Sequence, residues 1–240
     1  MRVVTNENTI DRNKRWAQLL FFLSMGALIA SFFFSSSIQS ADLGIFFQCV
    51  VMPLLLVMVI TSVRMTNLWV REPAPWKALR EGLKGIGNDA VLYHYLMPAD
   101  HVLVNSAGIF AITTRFQDRP QKIVDDKWEN RSGILTYMRQ EQLGDPTREA
   151  KLKAKQTEVF LQELLQDDSI EVQPLVVFTH PRASVEMEGE QTIPVLYASP
   201  DRKKSSIKSY LKDVAKKTDY PTLSEQQIKE LDDALLFEDE

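Results

Sequence analysis

Two long apolar runs near the start of the chain constrain its fold more than any other feature. Trp16 to Ile38 reads WAQLLFFLSMGALIASFFFSSSI, and Leu43 to Val63 reads LGIFFQCVVMPLLLVMVITSV. Neither run contains an acidic or basic side chain, and residues 16–63 as a whole are almost free of charge. A bilayer core is crossed by about 20 helical residues, so both runs have the length and composition of transmembrane helices. A secretory signal peptide fits poorly. Its apolar core is about 7 to 15 residues, and here a second span follows at once.

A short polar turn separates the runs: Ser35, Ser36, Ser37, Gln39, Ser40 and Asp42. The spans are therefore expected to form a helical hairpin. Pro53 lies inside the second run, where a kink is tolerated in a membrane helix. Arg2, Arg12, Lys14 and Arg15 precede the first span, and Arg64, Arg71 and Lys77 follow the second. The turn carries no positive residue. The positive-inside rule then predicts a multi-pass protein of the cell membrane with both termini cytoplasmic. Trp16 and Trp69 sit where interfacial tryptophans are favoured.

Residues beyond the anchor supply nearly all the charge, 28 Lys and Arg against 32 Asp and Glu. A net charge of −4 gives no support for a strongly basic nucleic-acid binder, although local basic patches are compatible with it. The one cysteine, Cys49, excludes a disulfide framework within a single chain. The expected organisation is a cytoplasmic N-terminal segment (1–15), a hairpin (16–63), a stiff connector containing REPAPW (64–76), a soluble domain (77–218), and a C-terminal helix with an acidic tail (219–240).

Within the soluble part, PWKALREGLK is compatible with a helix, with Pro75 in its first turn. Three strand-like runs follow, Ala90–Leu96, His101–Val104 and Gly108–Thr114, the last two joined by a turn at NSAG. A polar stretch, 117–145, reads as loop with some short structure. Asp145-Pro146 then opens a long helix, because Asp caps and Pro suits the first helical position. It is expected to run to about Leu165. Two strand candidates follow at Val172–Thr179 and Thr192–Tyr197, then a helix over Ser205–Lys217. Thr222 and Glu225 form a capping-box pattern before a last helix. This order predicts an α/β domain built on a mixed sheet.

Certain residues in this order resemble the nuclease-related domain (NERD) family. They are Asp100-His101-Val102-Leu103-Val104, then Gly108-Ile109-Phe110-Ala111-Ile112-Thr113-Thr114-Arg115, then Asp145-Pro146-Thr147-Arg148-Glu149-Ala150, then Val176 to Thr179. The family's pattern is an Asp-His at a strand start, Gly-Val-Phe-Val-Ile-Glu-x-Lys on the next strand, and Asn-Pro-x-x-Gln-Ala opening a helix. The resemblance spans about residues 80 to 200 and implies a restriction-endonuclease-like fold with a Mg²⁺ site. Such a site needs hard oxygen ligands and a metal that helps generate hydroxide.

By that resemblance Asp100 falls on the family's first metal-binding carboxylate. Thr113 stands where the family has Glu, and Arg115 where it has Lys. Threonine supplies no carboxylate, and arginine stays protonated and cannot replace lysine in proton transfer. Glu81, on the preceding helix, is a loose match to the family's helical Glu. The implied domain is degenerate and acts by binding. Two alternatives stand beside it. One is an active Mg²⁺-dependent nuclease that uses Asp100 with Glu81 or Asp118. The other is a structural or assembly protein of the membrane that docks a protein partner.

Asp100 is also an ordinary turn residue. His101 reads as structural, and His94 and His180 have no Cys or His partner at ligand spacing. Ser106 lacks a nucleophile-elbow setting, and Gly85 and Gly87 lack the rest of a phosphate-loop fingerprint. Arg202, Lys203, Lys204, Lys208, Lys212, Lys216 and Lys217 form a basic segment. It reads as a solvated helix face, or as a surface for anionic lipid headgroups or a nucleic-acid backbone.

Overall fold

A computed structural model describes residues 1–37, 40–129, 143–199, 205–217 and 220–237. The chain divides into two compact units. Among the described residues, one comprises 1–6, 75–129 and those from 143 onward, and the other comprises 7–74.

The second unit is helical. Helix α1 (Glu7–Ser37) is followed by α2 (Ala41–Phe46), a π-helical turn (Phe47–Val51) and α3 (Met52–Trp69). Pro53 explains the π turn. It has no N–H to offer the Cys49 carbonyl and its ring crowds that position, so the preceding turn widens and the Met52 N–H reaches back five residues to Phe47. Helices α1 and α3 pack on each other. The buried positions are mostly small: Ala17 and Ser24 on α1, Ser62 on α3. The large side chains face outward, with Phe22 71%, Phe32 73% and Leu54 68% exposed. Hydroxyls along the helices donate to their own backbone, Ser24 to Phe21 O at 2.9 Å and Thr61 to Val57 O at 2.9 Å. Both Glu7–Ser37 and Asp42–Trp69 are long and apolar enough to cross a membrane.

The first unit carries a six-stranded mixed sheet in the order β1-β2-β3-β4-β7-β9. Its strands are β1 (Arg2–Thr5), β2 (Val91–His94), β3 (His101–Asn105), β4 (Gly108–Arg115), β7 (Val172–Phe178) and β9 (Val195–Tyr197). The run β2-β3-β4 is an antiparallel meander; β4, β7 and β9 are parallel, and so are β1 and β2. A small second sheet joins β5 (Pro120–Val124), β6 (Lys127–Trp128) and β8 (Ser184–Glu188). Four helices complete the unit: α4 (Pro75–Gly82), α5 (Pro146–Leu165), α6 (Ile207–Lys217) and α7 (Glu225–Phe237).

Strand alternation sends successive side chains to opposite faces. On one face Phe110 and Ile112 pack with Leu79 and Leu83, in and just after α4, and with Ile207 and Leu211 of α6. On the other face Ile109 and Ala111 pack with Ala154 and Leu161 of α5 and Leu231 of α7. Helices α4 and α5 therefore lie on opposite sides of β4.

The antiparallel turn at 105–108 and the Asp145-capped helix form as the sequence predicts. The Asp145 carboxylate accepts from Arg148 N at 3.0 Å. Gly108 closes the turn at φ +125°, and a Cβ there would come 2.9 Å from Tyr220 Cβ.

Three readings differ from the structure. Residues 2–5 are a sheet strand and not merely a segment leading into α1. Strand β1 pairs with β2, and Arg2 reaches Asp232 on α7, which also accepts from the Tyr93 hydroxyl at 2.9 Å. The stretch 117–145, read as loop with some short structure, holds the short strands β5 and β6, but these join a second sheet that the reading did not include. The last helix is capped two residues later than the capping-box pattern suggested. Ser224 and Gln227 exchange the capping bonds, and Thr222 instead donates to Asn105 O at 2.6 Å. Arg202, Lys203 and Lys204 lie outside the described residues, as does the end of the acidic tail.

Candidate functional site

Of the residues singled out by the sequence, Asp100 and Arg115 come near each other where α5 crosses the end of β4. Glu149, Lys153 and Thr157 recur every four residues and share one side of α5. All three grip neighbouring backbone or side chains. The Thr157 hydroxyl oxygen accepts from Ala99 N at 3.1 Å, and Lys153 Nζ donates to Pro98 O at 2.7 Å. Together they pin the turn that presents Asp100 just before β3. Glu149 takes the guanidinium of Arg115.

Arg115 is buried, with its side chain 7% exposed. Its Nε donates to Leu143 O at 3.0 Å, its Nη1 to Thr114 O at 2.9 Å and its Nη2 to Glu149 Oε2. The guanidinium is thus spent on structure. Thr113, two residues earlier on the same face of β4, is also buried. Asp100 is exposed, yet its carboxyl is raised above the ordinary carboxylate value. Desolvation by the packed turn is the main cause. The Lys153 ammonium opposes it, the Glu149 carboxylate adds to it, and Arg115 again opposes it.

The other carboxylates considered from sequence are elsewhere. Glu81 is exposed and 3.9 Å from Lys84, on a helix that packs against the opposite face of β4. Asp118 lies beyond the end of β4, 4.0 Å from Arg182. The acid that the fold brings toward Asp100 is Glu149, which the sequence reading did not single out. Its signal was present, since Glu149 occupies the Gln position of the helix-opening pattern. A magnesium site takes several oxygens. Among the described residues no group of three or more His, Cys, Asp and Glu side chains could hold a metal ion.

On the opposite face the structure pairs two histidines that the sequence reading kept apart. His94 and His101 face each other across β2 and β3. Their Nδ1 atoms are 2.9 Å apart and the rings meet edge to face. One Nδ1 must carry a proton and the other must accept it. Both rings are fully buried. Burial pushes the His94 imidazole down to about 4, with nearby Arg80 adding to the effect. Burial and His94 hold His101 well below its usual value. Among the described residues His94 Nε2 has no hydrogen-bond partner. The pair is a neutral, buried structural contact.

The chain matches no protein-family model, no curated protein and no solved structure.

Proposed function

We propose that this chain is a membrane-anchored protein whose sheet-bearing unit is a NERD-like, restriction-endonuclease-like domain that does not cut and acts by binding. The observation that carries the reading is the fate of Arg115. At the position where the family motif has its lysine, a buried guanidinium is closed into three hydrogen bonds. Thr113 beside it offers no carboxylate, and the nearest acid on α5, Glu149, is taken up by Arg115. Asp100 is left as a lone projecting carboxylate. The order helix, three-strand meander, helix, parallel strand supports the fold part of the reading.

Two observations support the anchor. The most apolar stretches of α1 and α3 are each only 6% buried, whereas a core helix of a soluble protein would be covered. Small residues at the packing seam suit helices that associate in lipid. The hairpin reading gains support from β1. Residues on both sides of the apolar pair enter one sheet, which supports a pair of spans that leave and re-enter on the same side of the bilayer. The flanking Arg and Lys residues support a cytoplasmic assignment for that side. Lys212, Lys216 and Lys217 are exposed on α6, where anionic surfaces can reach them; Lys208 instead donates to Lys84 O.

Incubating the purified full chain with DNA and RNA in Mg²⁺ tests the reading. No cleavage is expected from the wild type. Cleavage that Asp100→Ala abolishes would overturn it in favour of an active nuclease with another carboxylate set.

A further inference from the structure

A cleft of about 520 Å³ opens beside the first turns of α1, lined among the described residues by Asn8, Asp11, Arg12, Arg15, Trp16 and Leu19. We infer that this cleft is a binding site for the headgroup of an anionic phospholipid. The inference rests on the membrane reading above.

The lining grades from polar to apolar along the helix axis. Asn8, Arg12, Arg15 and Leu19 follow each other at three- and four-residue steps and so share one face. Arg12 and Arg15 bring two positive charges against the single negative charge of Asp11. Both guanidinium groups are exposed, and neither has an ion-pair partner among the described residues. Trp16, 55% exposed, and Leu19, 55% exposed, begin the apolar span directly below them. The grading matches a phospholipid, with phosphate above and acyl chain below. Guanidinium groups suit phosphate because their planar N–H groups can bind two oxygens at once. A tryptophan at that level is favoured at the headgroup boundary. A free phosphate would use the arginines but leave Trp16 and Leu19 uncovered. A protein segment would have to enter the headgroup layer to reach the same cleft.

The test uses the full chain, reconstituted into vesicles of equal phosphatidylcholine and phosphatidylglycerol and re-extracted in mild detergent, with the co-purified lipid quantified. The wild type is expected to retain phosphatidylglycerol over phosphatidylcholine. The double variant Arg12→Gln/Arg15→Gln should weaken that preference about thirtyfold, roughly fivefold for each basic residue lost near an anionic surface. Lys229→Gln, exposed on α7, should leave it unchanged, and Lys216→Gln/Lys217→Gln separates the α6 surface from the cleft. A wild type without preference, or a preference lost only with the α6 lysines, overturns the site while leaving the anchor intact. A chain that washes off the vesicles in alkaline carbonate overturns the anchor and the site together.

Discussion

Helices α1 and α5 are both long, but they treat their apolar residues in opposite ways. Helix α5 hides Ala150, Ala154 and Leu161 against the sheet. Helix α1 hides only Ala17 and Ser24 and leaves Phe22, Phe32 and Phe33 open. The same chain thus contains one helix that covers its apolar face and one that leaves it open, as the membrane reading proposed above requires. Burial of large side chains stabilises the first. In the second, on the proposed membrane reading, close approach at small residues replaces it, because lipid offers no hydrophobic gain for hiding a phenylalanine.

The largest expected effect sharpens the water-facing half. Phe110→Ala, at 0% exposure in the sheet core, should destabilise the sheet-bearing unit by about 3–5 kcal/mol, read as a shift in the denaturant midpoint. Next comes the contrast itself. Leu54→Lys, on the open surface of α3, should oppose insertion by roughly 2.5–3.5 kcal/mol if it sits mid-bilayer, read as the fraction of chain resisting carbonate extraction. An exposed leucine in water would tolerate the same change. Glu149→Ala strands the buried Arg115 guanidinium and should cost about 2 kcal/mol, read from the same denaturant midpoint.

Acidification probes the other face of the sheet. The folded state holds His94 neutral, with a value near 4 against about 6.5 when unfolded. Stability is therefore complete above pH 6.5 and falls as pH drops toward 4. Between pH 7 and pH 5 the loss should be about 2 kcal/mol, with His101 adding in the same direction. The smallest effect is at the cap: Asp145→Ala should cost about 1 kcal/mol, read as a lower unfolding temperature.

How far each element could be read from sequence follows from how local its cause is. The apolar runs, the turn at 105–108 and the Asp145 cap each depend on a few adjacent residues, and each was legible. Strand β1 was not. Arg-Val-Val-Thr is too short to show a period, and its partner Val91–His94 lies more than eighty residues away. The His94–His101 contact was hidden for a related reason: only the antiparallel register brings together two residues seven apart. At the candidate site, Asp100, Thr113 and Arg115 could be named by resemblance. What Arg115 does could not, because it depends on Leu143, just before α5, and Glu149, within it, about thirty residues later in the chain. The cap at Ser224 was missed because two overlapping patterns competed, and Thr222 was drawn off by the Asn105 carbonyl.

Cys49 gives the most direct test of the claim that α1 and α3 face lipid. It is the chain's one cysteine and is exposed, in the π turn of the second span. The full chain in sealed vesicles, treated with a membrane-impermeant maleimide, should stay unlabelled at Cys49 and become labelled once the vesicles are dissolved in denaturing detergent. Labelling in intact vesicles as fast as in detergent would show that water reaches that surface, and would contradict the account.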